Sequence, residues 1–148
     1  MATTRREFLR VGMASGLAAA AASLPAIKAL AAQKPSGQDY QHAADPAHLT
    51  PLEMAHWPKL SIAGRATTGQ PFNLMLQIGN TLHPMTTAHH IEWVEVWVDG
   101  KKVARTDFAE PTQVKPALTV MLVASASMTV TVRASCNLHG LWENSIKV

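Results

Sequence analysis

From Trp57 to the C terminus the sequence breaks into short β-type runs separated by turn residues, and this spacing constrains the fold more than any other feature. The runs cover residues 59–66, 71–78, 91–98, 102–108, 118–124, 128–134 and 141–148. Thr68-Gly69-Gln70 lies ahead of the second run, and Ser125-Ala126-Ser127 divides the fifth from the sixth. Asp99-Gly100 divides the third from the fourth, and such a pair supplies the positive φ angles of a two-residue hairpin. Seven short strands with turns between them predict an all-β sandwich or barrel. No helix is expected after residue 31 beyond one short turn near Pro51-Leu52-Glu53-Met54.

The first 31 residues read differently. Thr4-Arg5-Arg6-Glu7-Phe8-Leu9-Arg10 has the form of a twin-arginine export signal, and an alanine-rich apolar run follows it. Ala29-Leu30-Ala31 fits a small-x-small cleavage site, which makes Ala32 the first residue of a mature, exported (periplasmic) chain. The run is too short and too rich in alanine for a good membrane span, so no membrane attachment is expected once it is removed. The twin-arginine route carries folded proteins, which suits a metal loaded before export. Residues 32–55 form a polar, proline-containing arm that includes His42 and His48. Solitary histidines in such an arm are solvated, and neither is assigned to a site.

The charge balance points the same way. Of 13 lysines and arginines, Arg5, Arg6, Arg10 and Lys28 fall in the leader; the remaining 9 face 9 acidic residues. The chain after the leader, the arm and the domain at residues 56–148 together, is therefore near neutral, which gives no case for a nucleic-acid-binding surface.

Chemistry enters with Cys136. It is the single cysteine, which excludes an intrachain disulfide and any four-cysteine metal site. A lone thiol in an exported chain is open to oxidation unless buried or ligated. In an extended run, Val130, Val132, Ala134 and Cys136 share one face, so the thiol stands where the apolar face leaves the core. His139 follows three residues later, and Asn137 and Gly140 both suit the bend that turns it back. A second group, His83-Pro84-Met85-Thr86-Thr87-Ala88-His89-His90, precedes the strongest strand. His89 and His90 point to opposite faces if extended, so one of the two is a ligand. His56 adds a further imidazole ahead of the first strand. Four imidazoles and a thiolate suit iron or copper better than closed, four-coordinate zinc.

These two motifs, His83-Pro84-x-Thr86-Thr87-x-His89-His90-Ile91 and Cys136-Asn137-x-His139-Gly140-Leu141-Trp142-Glu143-Asn144, closely resemble superoxide reductase, the neelaredoxin and desulfoferrodoxin iron-domain family. The resemblance spans residues 54–148. It implies an immunoglobulin-like β-sandwich and a mononuclear iron cycling between Fe(II) and Fe(III). His56, His83, His89 and His139 are its implied equatorial ligands and Cys136 its axial thiolate, with His90 outside the set. Cys136 and His139 are the residues that the resemblance carries into catalysis. The implied reaction is one-electron reduction of superoxide to hydrogen peroxide, an oxidoreductase activity against oxidative stress, with a small protein as electron donor. One cysteine matches the single-iron type. Members are often oligomers, so a homo-oligomer is an expectation, although no stretch of sequence declares an interface.

One departure stands out. Members often carry Glu-Lys immediately before the first histidine ligand, the glutamate reaching the oxidised iron and the lysine attracting superoxide. Here Met54 and Ala55 hold those positions, with Glu53 one residue early and Lys59 three residues past His56. The alternatives are an exported copper electron-transfer protein of cupredoxin type, or a relative that binds iron without turnover. No methionine follows Cys136, which counts against the copper reading.

Overall fold

The computed structural model describes residues 39–148; the export signal read in residues 1–31 lies outside the described residues. Seven strands form two antiparallel sheets. They are β1 (Pro58–Ile62), β2 (Pro71–Ile78), β3 (Ile91–Val98), β4 (Lys101–Asp107), β5 (Ala117–Val123), β6 (Thr129–Cys136) and β7 (Gly140–Lys147). One sheet has the order β1-β2-β5 and the other β4-β3-β6-β7. This is the expected immunoglobulin-like sandwich, with the fourth strand beside the third.

Alternation builds the core. Phe72, Leu74, Leu76 and Ile78 of β2 are buried, and their intervening neighbours are not. Val130, Val132, Ala134 and Cys136 of β6 face them, all at most 2 % exposed. Burying side chains of this size stabilises the fold by roughly 1.5–3 kcal/mol each. The Asp99-Gly100 hairpin forms as read, with φ 47° and 78° and Val98 opposite Lys101, the geometry of a type I′ turn.

Two local expectations need correction. The first strand stops at Ile62 rather than running to residue 66, and Gly64 follows with φ 78°. The helical turn expected near Pro51 is present but longer, a six-residue helix, α1 (Pro51–His56). Thr50 caps it: its side chain accepts from the Glu53 amide, and the Glu53 carboxylate accepts from the Thr50 amide at 2.7 Å. That reciprocal pair satisfies two donors a short helix would otherwise leave bare. Among the described residues no helix is long and apolar enough to cross a membrane.

The antiparallel register brings one end of each of several strands together. Cys136 ends β6 opposite Ile91, which begins β3, and opposite Gly140, which begins β7. Pro58 begins β1 opposite Ile78, which ends β2. The segments holding His56, His83, His89 and His139 all attach to this one end of the sandwich.

Candidate metal centre

Each histidine is aimed by its own backbone. His56 closes α1, and its Nδ1–H donates to the Leu52 carbonyl at 2.8 Å. The Nδ1–H of His83 donates to the Pro84 carbonyl at 2.6 Å. A carbonyl can only accept, so both rings carry their proton on Nδ1 and present a bare Nε2. Those two Nε2 atoms are buried side-chain nitrogens without a partner among the described residues. Buried polar atoms are rarely left so, and here a cation is the partner that fits.

The other ligands converge on the same point. His56, His83, His89 and Cys136 offer donor atoms that all lie within 4.8 Å of one another. His139 completes the group, its Nδ1 standing 3.2 Å from His89 Nε2 and 3.6 Å from Cys136 Sγ. The four rings follow one another around a square. Centroid distances are 4.7 Å for His56–His83, 4.5 Å for His83–His89, 4.8 Å for His89–His139 and 4.5 Å for His139–His56. Neighbouring planes stand 67–77° apart, like blades of a propeller. His56, His83 and Cys136 are buried, whereas His89 and His139 are partly open to solvent. All five residues singled out from the sequence therefore meet. His90 does not join them; its Nδ1 lies 3.1 Å from the Thr86 carbonyl. His42 and His48 are also elsewhere, His48 being paired with Asp45 on the surface.

Burial tunes the rings toward ligation. It pushes the His83 imidazolium down to about 4, opposed by the Pro84 hydrogen bond and reinforced by the neighbouring histidines. Burial likewise lowers His56, against its bond to Leu52, and lowers His89 together with His139 and His90. These three rings stay neutral near pH 7, the form that binds a metal.

Several supporting residues were not legible as such in the sequence. Asn137 clips the two ligand segments together. Its Oδ1 accepts from the His90 amide at 2.9 Å and its Nδ2 donates to the Ala88 carbonyl at 3.0 Å. Thr86 closes the turn, its Oγ1 accepting from the His89 amide. Trp142 stacks on His56, with centroids 5.2 Å apart and planes 20° apart. Its Nε1–H donates to the His139 carbonyl, as does Gln41 Nε2 at 2.6 Å. Gly140, by contrast, makes the bend already read from the sequence, returning to β7 with φ 74°.

The two substitutes for the missing Glu-Lys pair are placed elsewhere. Glu53 accepts from the Thr50 and Ala44 amides, so its carboxylate is engaged in the cap of α1. Lys59 is exposed on β1 and lines the outer surface of the smaller sheet with Ser61, Met75 and Gln77. Residues 50–58, 79–90 and 136–142, which carry all five ligands, contain no lysine or arginine.

Comparison with known proteins agrees with this geometry. The sequence profile of the family described as desulfoferrodoxin matches residues 48–145. A desulfoferrodoxin homolog of Archaeoglobus fulgidus is 41% identical over 69 residues, covering 47% of this chain and 50% of that protein. The superoxide reductase of Thermococcus kodakarensis is 31% identical over 72 residues, covering 43% of this chain and 63% of that protein. The alignments thus span about half to two thirds of these relatives' length. Among solved structures, superoxide reductase (neelaredoxin) from Ignicoccus hospitalis superposes with a TM-score of 0.56 at 31% identity, covering 63% of this chain and 79% of that one. With the profile extending across both ligand motifs and the strands that carry them, the chain belongs to the desulfoferrodoxin family.

Proposed function

We propose that the chain is a superoxide reductase holding one non-haem iron on His56, His83, His89, His139 and Cys136. The observation that carries this reading is the pair of buried, unpartnered Nε2 atoms facing a thiol within one five-residue cluster. Iron bound there supplies one electron to superoxide, which with two protons becomes hydrogen peroxide.

The chain's own contributions follow from the geometry. Carbonyls of Leu52 and Pro84 fix the tautomers of His56 and His83, so neither ring has to shed a proton to bind. The β6 core face keeps Cys136 at 2 % exposure, protecting a thiolate from solvent and oxidants. The stacked Trp142 ring excludes water from behind His56. His89 and His139 leave the cluster accessible on their side, where a small anion can enter.

On the same reading the protein is exported through residues 1–31 to the periplasm, and a small redox protein returns the electron. Metal analysis of anaerobically purified protein, followed by superoxide pulses on the reduced form, tests the proposal. One iron per chain with peroxide formed and no oxygen evolved is expected. Copper as the native metal, oxygen evolution, or unaltered iron binding in Cys136→Ala would overturn it.

A further inference from the structure

The arm ahead of α1 supplies no residue to the hydrophobic core and no ligand, yet it is tied down at both ends. Gln41 runs parallel beside β7 at Trp142. Its amide donates to the Leu141 carbonyl at 2.8 Å, and its carbonyl accepts from the Glu143 amide at 3.0 Å. Tyr40 packs its ring on the Arg133 guanidinium, 4.6 Å away, and that guanidinium also lies over Trp97 and pairs with Glu143. Three residues beyond Gln41, the Ala44 amide donates to Glu53 of α1 at 2.9 Å. Residues 40–44 thus strap the hairpin of Cys136 and His139 to the helix that ends in His56. Those two histidines are neighbours in the square, with ring centroids 4.5 Å apart. The strap precedes residues 48–145, the span that matches the family profile.

The contact that matters is at His139. Its carbonyl accepts from Gln41 Nε2 at 2.6 Å and from Trp142 Nε1 at 3.2 Å, which fills both lone pairs. Trp142 belongs to the same hairpin, so Gln41 is the donor that ties this carbonyl to another segment. His139 also differs from His56 and His83 in the nitrogen it presents. Those rings present Nε2, with Nδ1–H held by a carbonyl. His139 faces His89 and Cys136 through Nδ1, the ring nitrogen nearer its own main chain. A shift of the backbone at residue 139 therefore passes almost directly to the ligating atom.

We propose that Gln41 is a positioning residue for the metal centre: held by the arm's backbone, its side-chain amide fixes the His139 carbonyl and so the Nδ1 that His139 turns to the metal. The inference rests on the five-ligand cluster and not on superoxide as its substrate. Supports of this kind typically govern metal affinity by tenfold or more.

Cobalt(II), a spectroscopic probe that imidazole and thiolate bind, tests this on the full chain by competition with a chelator. Gln41→Glu keeps the shape of the side chain but has no N–H to donate, and Gln41→Ala removes it. Each lowers cobalt affinity about tenfold or more. In a His139→Ala background, whose backbone carbonyl is unchanged, the loss from Gln41→Ala disappears, because no ring is left to place. If His139→Ala no longer takes up cobalt, proton NMR of the cobalt forms decides: the metal-shifted ring signals of His139 move in Gln41→Ala and those of His83 stay. Unchanged affinity in the Gln41 variants, the same loss with and without the His139 ring, or shifts shared alike by His83 overturns the role. Cobalt refused by the unaltered chain overturns the metal-centre reading beneath it.

Discussion

Removing the Asn137 side chain separates what holds the fold from what holds the site. In Asn137→Ala the His90 amide and the Ala88 carbonyl both lose their partner, while the backbone bond from the Asn137 amide to the His90 carbonyl persists. Asn137 is exposed, so water replaces the lost partners in part. Two such bonds at about 0.5–1 kcal/mol each put the loss of stability near 1–2 kcal/mol. The metal is affected separately. The clip fixes residues 88–90, which carry His89, against the hairpin that carries Cys136 and His139. Loss of such a support typically weakens metal binding about tenfold or more. Asn137→Asp keeps an acceptor for His90 but loses the donor to Ala88, and falls between the two. Urea unfolding of metal-free protein reads the first quantity, and competition with a chelator reads the second. Unchanged affinity alongside reduced stability would show that the clip serves the fold alone; both unchanged would refute the reasoning outright.

Three further expectations rest on other parts of the molecule. At Gly79, with φ 81°, a Cβ would stand 2.5 Å from the backbone oxygens of Ala55 and Thr81, so Gly79→Ala destabilises by more than about 1 kcal/mol and shifts the His56 segment, read by urea midpoint and by the metal's absorption spectrum. Burial pushes the Glu95 carboxyl up, but hydrogen bonds from Lys102, Arg105 and Trp97 outweigh it and hold the group below its ordinary 4.5. Its stabilisation is therefore complete above that value and is lost as the pH falls through the folded-state value, so the stability gap between the unaltered protein and Glu95→Gln narrows in acid; a gap independent of pH contradicts this. With no lysine or arginine in the three ligand-bearing segments, the superoxide rate changes less than about twofold between low and physiological salt, whereas Ala55→Lys makes it faster and visibly salt-dependent in pulse radiolysis.

The sandwich was legible because alternation is a local signal. β2 and β6 read off their period of two, and Asp99-Gly100 announced its own turn. The ligand set was legible for a different reason: it consists of rare residue types at the ends of those strands. What supports the ligands was not legible, because those contacts join distant segments. Asn137 reaches back 49 residues to Ala88, and Gln41 reaches forward 98 residues to His139. Helix α1 was legible only in part, as one short turn near Pro51 rather than a six-residue helix. Thr50-Pro51-Leu52-Glu53 has the form of a capping box, but the surrounding arm lacks apolar periodicity, and cap chemistry alone secures so short a helix.

That helix also explains why Glu53 does not stand in for the glutamate that the resemblance leads one to expect. Residues three apart on a helix share a face, so Glu53 lies on the side of α1 that carries His56. Its two carboxylate oxygens are nevertheless taken, one by the Thr50 amide and one by the Ala44 amide. Swinging it toward the cluster would strip the cap and unpair both donors. Met54, at the position the family's glutamate occupies, is about 200° around the helix from His56 and is tied through its carbonyl to the Asn80 amide. The residue on the right face is engaged, and the position with the right number faces away. Helix α1 thus aims His56 and, by the same hydrogen bonds, keeps a carboxylate from joining the cluster. An anion approaching past His89 and His139 then meets neither a competing protein carboxylate nor a guiding lysine from the ligand-bearing segments.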